Sequence, residues 1–310
     1  MRSYTVLGTG AVGCFYGAKL AAAGHPVRFL GRSDVPTLRR SGLRVSGTDG
    51  DLVVPEVEAF DDPEEVPASD IVLIAVKATL PNPAGATLAR LAGGSDAVVS
   101  LQNGLGIEAD LEDAAGGRPL AGGLCFIAAN RVGPGHVEHL LGGTVTLAAH
   151  RSEEQSAVEP IAADLVGAGV EAVVDADLVG ARWRKLVWNV PFNPLTTLLG
   201  RTPTELLSSP DGETLVRLVM EEVVAAAGAL GHPISHGYVD GLVAITRTFP
   251  PYRTSMGLDV AAGRPTEVEV ILGRPVAEGT AAGVPMPVAG TLLRQLRVLT
   301  GGVAGGGEHR

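Results

Sequence analysis

The sequence predicts an α/β protein: an N-terminal Rossmann-type doubly wound sheet followed by an all-helical C-terminal domain. Three observations carry that reading. In the first half, short β-rich runs alternate with alanine-rich helical segments, the pattern that builds a parallel sheet covered by helices. Gly8, Gly10 and Gly13 follow the first such run and open the first helix. From about Asp175 onward the texture changes to long helical patterns. A chain of 310 residues suits two domains of roughly 150 residues each, enough to bury a core. The change of texture sets the expected domains at 1–175 and 176–300, with 301–310 as a glycine-rich, disordered tail.

Taken in order, strands are expected over Tyr4 to Leu7, Val27 to Leu30, Ile71 to Val76 and Ala97 to Leu101, with the first helix over Ala11 to Ala23. The run IVLIAV at 71–76 is apolar without alternation, as suits a central parallel strand buried on both faces. Three further strands, near Ala121 to Ala128, His136 to Leu140 and Val145 to Ala149, are separated by glycine-containing turns and extend the sheet, antiparallel at its edge. Helical patterns follow over Leu178 to Leu199, Asp211 to Leu230, Tyr238 to Thr248, Glu267 to Ala282 and Val288 to Val298. Ser209 as cap and Pro210 at the first position start the second of these, and Gly231 with Pro233 ends it. Pro191 and Pro194 each remove a helical amide, so a kink is expected there.

Composition narrows the function. Lys plus Arg (24) against Asp plus Glu (34) leaves a net charge of −10, which argues against a nucleic-acid binder, since neutralising phosphates needs a basic face. An apolar share of 45% with 19% charged residues excludes a wholly disordered chain. No run approaches the roughly 18 apolar residues of a spanning helix, and glycines interrupt the start of the chain too early for a signal-peptide core. Two cysteines, Cys14 and Cys125, are too few for a disulfide framework, so a soluble cytoplasmic protein with reduced thiols is expected.

The chemistry starts at GTGAVG. Gly8 allows a tight turn, Gly10 a close backbone approach to a pyrophosphate, and Gly13 close packing of helix on strand. The amides of Ala11, Val12 and Gly13 then face the phosphates from the positive end of the helix. At the end of the second strand, where an acid would accept the ribose hydroxyls of NAD, stands Arg32. Its guanidinium suits the 2′-phosphate of NADP, with Ser33 as helper. Asp34 is the acid that would serve NAD instead.

Two more polar side chains, Lys77 and Asn103, close apolar strands on the side where such a sheet presents its ligands. In ARWRKLVWNVPFNPLTTL, Lys185, Asn189 and Asn193 recur at intervals of four and form one polar stripe on a helix, flanked by Leu186, Val187 and Val190. On residue types alone this stripe is either a solvated face or the wall of a wet cleft.

The order and spacing of these segments resemble the ketopantoate reductase family, the 2-dehydropantoate 2-reductases. The likeness spans almost the whole chain: GTGAVG, VKA at 76–78, QNG at 102–104, WRKLVWNVPFNPLT at 183–196, TSM at 254–256 and TEVE at 266–269. It implies an NADPH-dependent reductase of a 2-oxo acid, ketopantoate to (R)-pantoate, in pantothenate and coenzyme A synthesis. The first domain would bind NADP and the second the substrate. By the same resemblance Lys185 is the catalytic lysine and Glu267 the acid that supports it. Lys77 and Asn103 are cofactor-side polar residues, and Asn189, Asn193 and Ser255 bind substrate. A homodimer is a common outcome in the family.

The chain also departs from the family pattern. Tyr252 stands where an asparagine is frequent, three residues before the serine, and Gly200, Arg201 and Pro203 follow the NPLT segment in place of a polar residue. These changes suit a bulkier ketone or 2-oxo acid of specialised metabolism as an alternative substrate. A non-catalytic NADP-binding regulator is an alternative of another class, which an intact Lys185 and Glu267 argue against. A related dehydrogenase of phosphorylated or 3-hydroxy acids is a third, which the TSM and TEVE segments do not fit. Cys14 reads as a small packing residue, and the pairs His136 with His139 and His232 with His236 lack the further ligands of a metal site.

Overall fold

The computed structural model describes residues 1–48 and 50–301; the expected tail beyond Gly301 lies outside them. It divides into two compact units, Met1–Arg182 and Trp183–Arg310. The first unit holds a ten-stranded sheet. Its elements are β1 (Tyr4–Leu7), α1 (Ala11–Ala22), β2 (Val27–Leu30), α2 (Val35–Ser41), β3 (Leu43–Gly47), β4 (Leu52–Val54), β5 (Glu58–Phe60), β6 (Ile71–Ile74), α3 (Gly85–Ala92), β7 (Ala97–Ser100), α4 (Ile107–Ala115), β8 (Leu120–Gly133), β9 (His136–Ala149), α5 (Gln155–Gly167) and β10 (Ala172–Val174). The strand order is β4-β3-β9-β8-β7-β6-β1-β2-β5, with β10 added to β9.

Pairing is parallel from β5 through β2, β1, β6 and β7 to β8, and antiparallel between β8 and β9 and between β3 and β4. The chain leaves β1 in one direction to reach β2 and returns to β6 on its other side, so the topological switch point lies between β1 and β6. As the unbroken apolar run predicts, Ile71–Ile74 is buried throughout. That strand is two residues shorter than expected, because Val76 is drawn into the loop chemistry described below.

The three expected strands after residue 120 are instead two of fourteen residues each. Gly142 and Gly143, which read as a turn, sit inside β9 with positive φ of 74° and 112°, and the ladder shifts register between Phe126 and Ile127. This is a bulge, in which an extra residue bends a strand without ending it. The bent ribbon gives β9 two further neighbours at opposite ends: β3 alongside Val137 and β10 alongside Thr146.

Helix α1 lies close on the sheet because two of its positions lack side chains. A Cβ on Gly17 would approach Phe29 to 2.5 Å, and one on Gly13 would approach Val6 to 3.0 Å. Beneath it, Tyr4, Val6, Phe15, Tyr16 and Phe29 are fully buried in the main core.

Among its described residues the second unit contains helices and no strand: the greater part of α6 (Leu178–Leu199), then α7 (Pro203–Leu207), α8 (Pro210–Ala229), α9 (His236–Thr246), α10 (Ser255–Ala261), a π turn (Glu269–Gly273), α11 (Arg274–Ala281) and α12 (Pro287–Leu299). Helix α6 runs unbroken through Pro191 and Pro194, and both prolines are buried. Ser209 caps α8 as expected, accepting from Gly212 N–H. The carboxylate of Glu222 on α8 accepts the amides of Val288 (2.9 Å) and Ala289 (2.8 Å), capping α12 from outside. The sequence gives no sign of the short α7 and α10, and the helix expected over Glu267 to Ala282 opens instead with the π turn. The contact division falls at Arg182, inside α6, seven residues beyond the expected boundary. None of the described helices is long and apolar enough to cross a membrane. Among the described residues no group of three His, Cys, Asp or Glu could hold a metal ion.

Candidate active site

In the first unit, candidate residues gather at the carboxyl ends of β1, β2, β6 and β7. Gly8 turns with φ of 116°, and its N–H donates to Leu30 O at 2.9 Å. A Cβ there would stand 2.9 Å from Ala75 C and Val76 N, so only glycine lets this loop rest on the end of β6. A Cβ on Gly13 would overlap the carbonyl oxygen of Gly8. Gly10 differs. The nearest atom to a Cβ at that position is Ala75 O at 3.9 Å, so the protein's own packing does not require glycine there.

Packing within the first unit leaves the space beside Gly10 open. It fits a pyrophosphate: the start of α1 has neither a side-chain cap nor an acidic residue in its first turn, so its leading amides retain their donors.

Arg32 is exposed on the loop between β2 and α2. Asp34, the acid in position to serve NAD, is only 1% exposed and accepts from Arg131 Nη2 at 2.9 Å and from Ser33 Oγ at 3.2 Å. Its other oxygen, Oδ2, is buried with no hydrogen-bond partner among the described residues. Burial pushes the neighbouring Cys14 thiol up to about 12, with the Asp34 charge adding to it. Cys14 is thus a protonated packing residue.

Lys77 and Asn103 stand at strand ends that are joined through Gln102. Gln102 Nε2 donates to Val76 O at 2.9 Å, tying the end of β7 to the end of β6. Its Oε1 accepts from Asn82 Nδ2 at 3.1 Å. Lys77 follows the first of the tied residues and Asn103 the second, both half-buried. The backbone oxygen of Gln102 accepts from Arg182 Nη1 at 2.6 Å, and the rest of that guanidinium pairs with Glu108. Arg182 is 2% exposed and Glu108 3%. Gly122 leaves the room for this pair, since a Cβ there would come within 2.8 Å of Glu108 Oε1.

In the second unit, α6 carries the polar stripe. Lys185 is half-buried, Asn189 and Asn193 are buried, and Leu186, Val187 and Val190 fill the core side. Trp188 stacks on Phe192 with ring centroids 4.7 Å apart and donates from Nε1 to Thr246 Oγ1 at 3.1 Å. Trp183 is a core residue. The end of α6 is joined to α10 by a hydrogen bond between Thr196 Oγ1 and Thr254 Oγ1, 2.8 Å apart. Thr254 in turn caps α10, accepting from Gly257 N–H, so the first residue of that helix, the exposed Ser255, is held beside the Asn193 turn of α6. Glu267 is 7% exposed and lies just ahead of the π turn. Tyr252 is half-buried, its ring 6.5 Å from that of Phe249, and burial raises its hydroxyl above the ordinary tyrosine range.

Sequence reasoning missed Gln102, the Arg182–Glu108 pair and the Arg131–Asp34 pair. Gln102 stood in plain view within the QNG run; the ion pairs join residues 74 and 97 positions apart, and no local pattern announces them.

Comparison with known proteins agrees with this geometry. Residues 4–152 match the family described as ketopantoate reductase PanE/ApbA, and residues 177–300 match its C-terminal counterpart. The chain belongs to the ketopantoate reductase family. It is 37% identical to a 2-dehydropantoate 2-reductase of Nostoc sp. over 97% of this chain and 96% of that one. Crystal structures of 2-dehydropantoate 2-reductases from Geobacter metallireducens (TM-score 0.87, 36% identity, 95% of this chain and 99% of that one) and Methylococcus capsulatus (TM-score 0.86, 33% identity, 98% and 100%) share the fold. As a ketopantoate reductase family member, the chain is an oxidoreductase acting on a ketone, and its Rossmann-type sheet implies a nicotinamide cofactor.

Proposed function

We propose that this protein reduces 2-dehydropantoate to (R)-pantoate with NADPH, as a cytoplasmic homodimeric enzyme of pantothenate supply. The observation that carries the choice of NADPH is the state of the β2–α2 loop: Asp34 is buried against Arg131, while Arg32 is exposed. A ribose diol would find no free carboxylate there, whereas a 2′-phosphate would find a guanidinium.

The hydride for the carbonyl carbon would come from NADPH when it is bound. The chain's own residues deal with the oxygen. As negative charge builds there, Lys185 gives its Nζ proton to that oxygen and so completes the alcohol. Glu267 supports the positive charge of the lysine against the cost of partial burial. Asn189, Asn193 and Ser255 orient the substrate carboxylate and hydroxyl with neutral groups that add no competing negative charge. Gly8, Gly10, Ala11, Val12 and Gly13 hold the pyrophosphate, with Lys77 and Asn103 on the cofactor side.

The half-buried ring of Tyr252 supports a second reading, a bulkier 2-oxo acid, because its aromatic surface enlarges the apolar contact available to a substrate. Both readings are tested by following NADPH oxidation with 2-dehydropantoate beside larger 2-oxo acids. Highest turnover on 2-dehydropantoate supports the first, and preference for a larger acid moves the assignment to the second. Lys185→Ala should lower kcat by roughly 10²- to 10⁴-fold while NADPH still binds; near-normal turnover would remove Lys185 from the mechanism.

A further inference from the structure

Glu267 precedes a helical irregularity by two residues. Across Glu269–Gly273 the backbone makes a π turn, in which Arg274 N–H donates to Glu269 O five residues back. Pro275 contributes to this, since it has no amide for the carbonyl four residues before it. One extra residue in a turn rotates what precedes it by about 100° relative to the helix that follows. The direction in which Glu267 leaves the backbone, relative to α11, therefore depends on the turn keeping its π form. Glu267 is also bonded into it, since its carbonyl accepts from Ile271 N–H at 3.0 Å.

An ion pair from α12 grips the turn. Arg297 donates from Nε to Glu269 Oε1 at 2.7 Å and from Nη2 to Oε2 at 2.5 Å. The carboxylate so held lies over Gly273, where a Cβ would run into Oε2. That oxygen ends a flexible side chain, but two guanidinium bonds pin it. Stability does not explain the arrangement: the Arg297 and Glu269 side chains are 47% and 28% exposed, and ion pairs this open contribute little.

We propose that Arg297 and Glu269 are positioning residues, clamping the π turn so that Glu267 is aimed at the reacting lysine and substrate. This rests on the reading of Glu267 given above. The test is a double-mutant cycle on the full-length enzyme, reading kcat and KM for NADPH oxidation by 2-dehydropantoate in Arg297→Met, Glu267→Gln and the combined variant. Arg297→Met should lower kcat roughly ten- to hundredfold, leave the KM for NADPH unchanged, and keep the thermal midpoint near that of the parent. Arg297→Lys, which keeps the charge and one bond, should recover part of the loss. In the Glu267→Gln background, Arg297→Met should have no further effect. Equal losses in both backgrounds, or parental kcat in Arg297→Met, overturn the clamp while leaving Glu267 in place. Parental turnover in Glu267→Gln overturns the reading of Glu267 and the clamp with it. Glu269→Gln, which keeps the shape of the carboxylate, replaces Arg297→Met if the latter fails to fold, with the same expected pattern.

Discussion

Single side chains divide here into those whose role follows from chemistry and those whose role follows from what they are tied to. Arg32 belongs to the first kind. An exposed guanidinium at the end of β2 matches a 2′-phosphate, and Arg32→Ala should raise the KM for NADPH roughly tenfold or more, the worth of a charge-assisted hydrogen bond, while the KM for NADH hardly changes. Equal effects on both coenzymes would place the phosphate elsewhere. Asp34 belongs to the second kind. One residue apart from Ser33 and aligned with the loop, it reads as a ribose acid, yet its burial against Arg131 withdraws it. Lys185, Asn189 and Asn193 were legible as a stripe because helical spacing is a local property. The partner that orients Gln102 comes from a distant part of the chain, and so was not.

Elements were legible to the degree that their causes are local. Strand β6 is apolar on both faces and α8 carries its own start and stop residues, so β6 starts where the sequence puts it and α8 lies within one residue of its expected bounds. The bulged β8–β9 ribbon was misread as three strands, since Gly142 and Gly143 can end a strand or bend one, and only the partner strand decides. The helix expected over Glu267 to Ala282 gave no sign of the π turn, whose Glu269 carboxylate is paired with Arg297 of α12, 28 positions away. Helix α6 owes the anchoring of its first turns to the buried Arg182–Glu108 pair. Removing one member strands a charge in the interior, so Glu108→Ala should cost about 3–5 kcal/mol. Calorimetry of the purified variant would measure it, and a thermal midpoint within a degree of the parent would show that the pair is not a stabilising contact.

Over the whole molecule, the base of the first unit depends on two carboxylates that hold the start of β1. Asp70 Oδ2 accepts from Ser3 N–H at 2.7 Å, and that bond holds its carboxyl below the ordinary range against the cost of burial. Burial raises the Asp164 carboxyl, but the bonds from Arg2 at 2.7 and 2.8 Å and from Tyr4 at 2.5 Å outweigh it and leave it lowered. A carboxylate lowered on folding adds stability that is complete above its unfolded value, near 4, and is lost as pH falls through its folded value. The thermal midpoint should therefore drop as pH falls below about 4, and in Asp164→Asn it should start lower and drop less. Identical slopes for the two proteins would take Asp164 out of this acid response. The chain's own patterns suffice for the alternation of strands and helices, the glycine turn after β1 and the lysine and asparagine stripe, because each depends on neighbours within a turn or two of backbone, and for the family through the order of motifs along the whole chain. Packing alone settles how closely each glycine is approached, that Asp34 is buried against Arg131, and that Arg297 pairs with Glu269 across the π turn. In each case the deciding atom comes from a residue far along the chain, and its distance cannot be read from spacing.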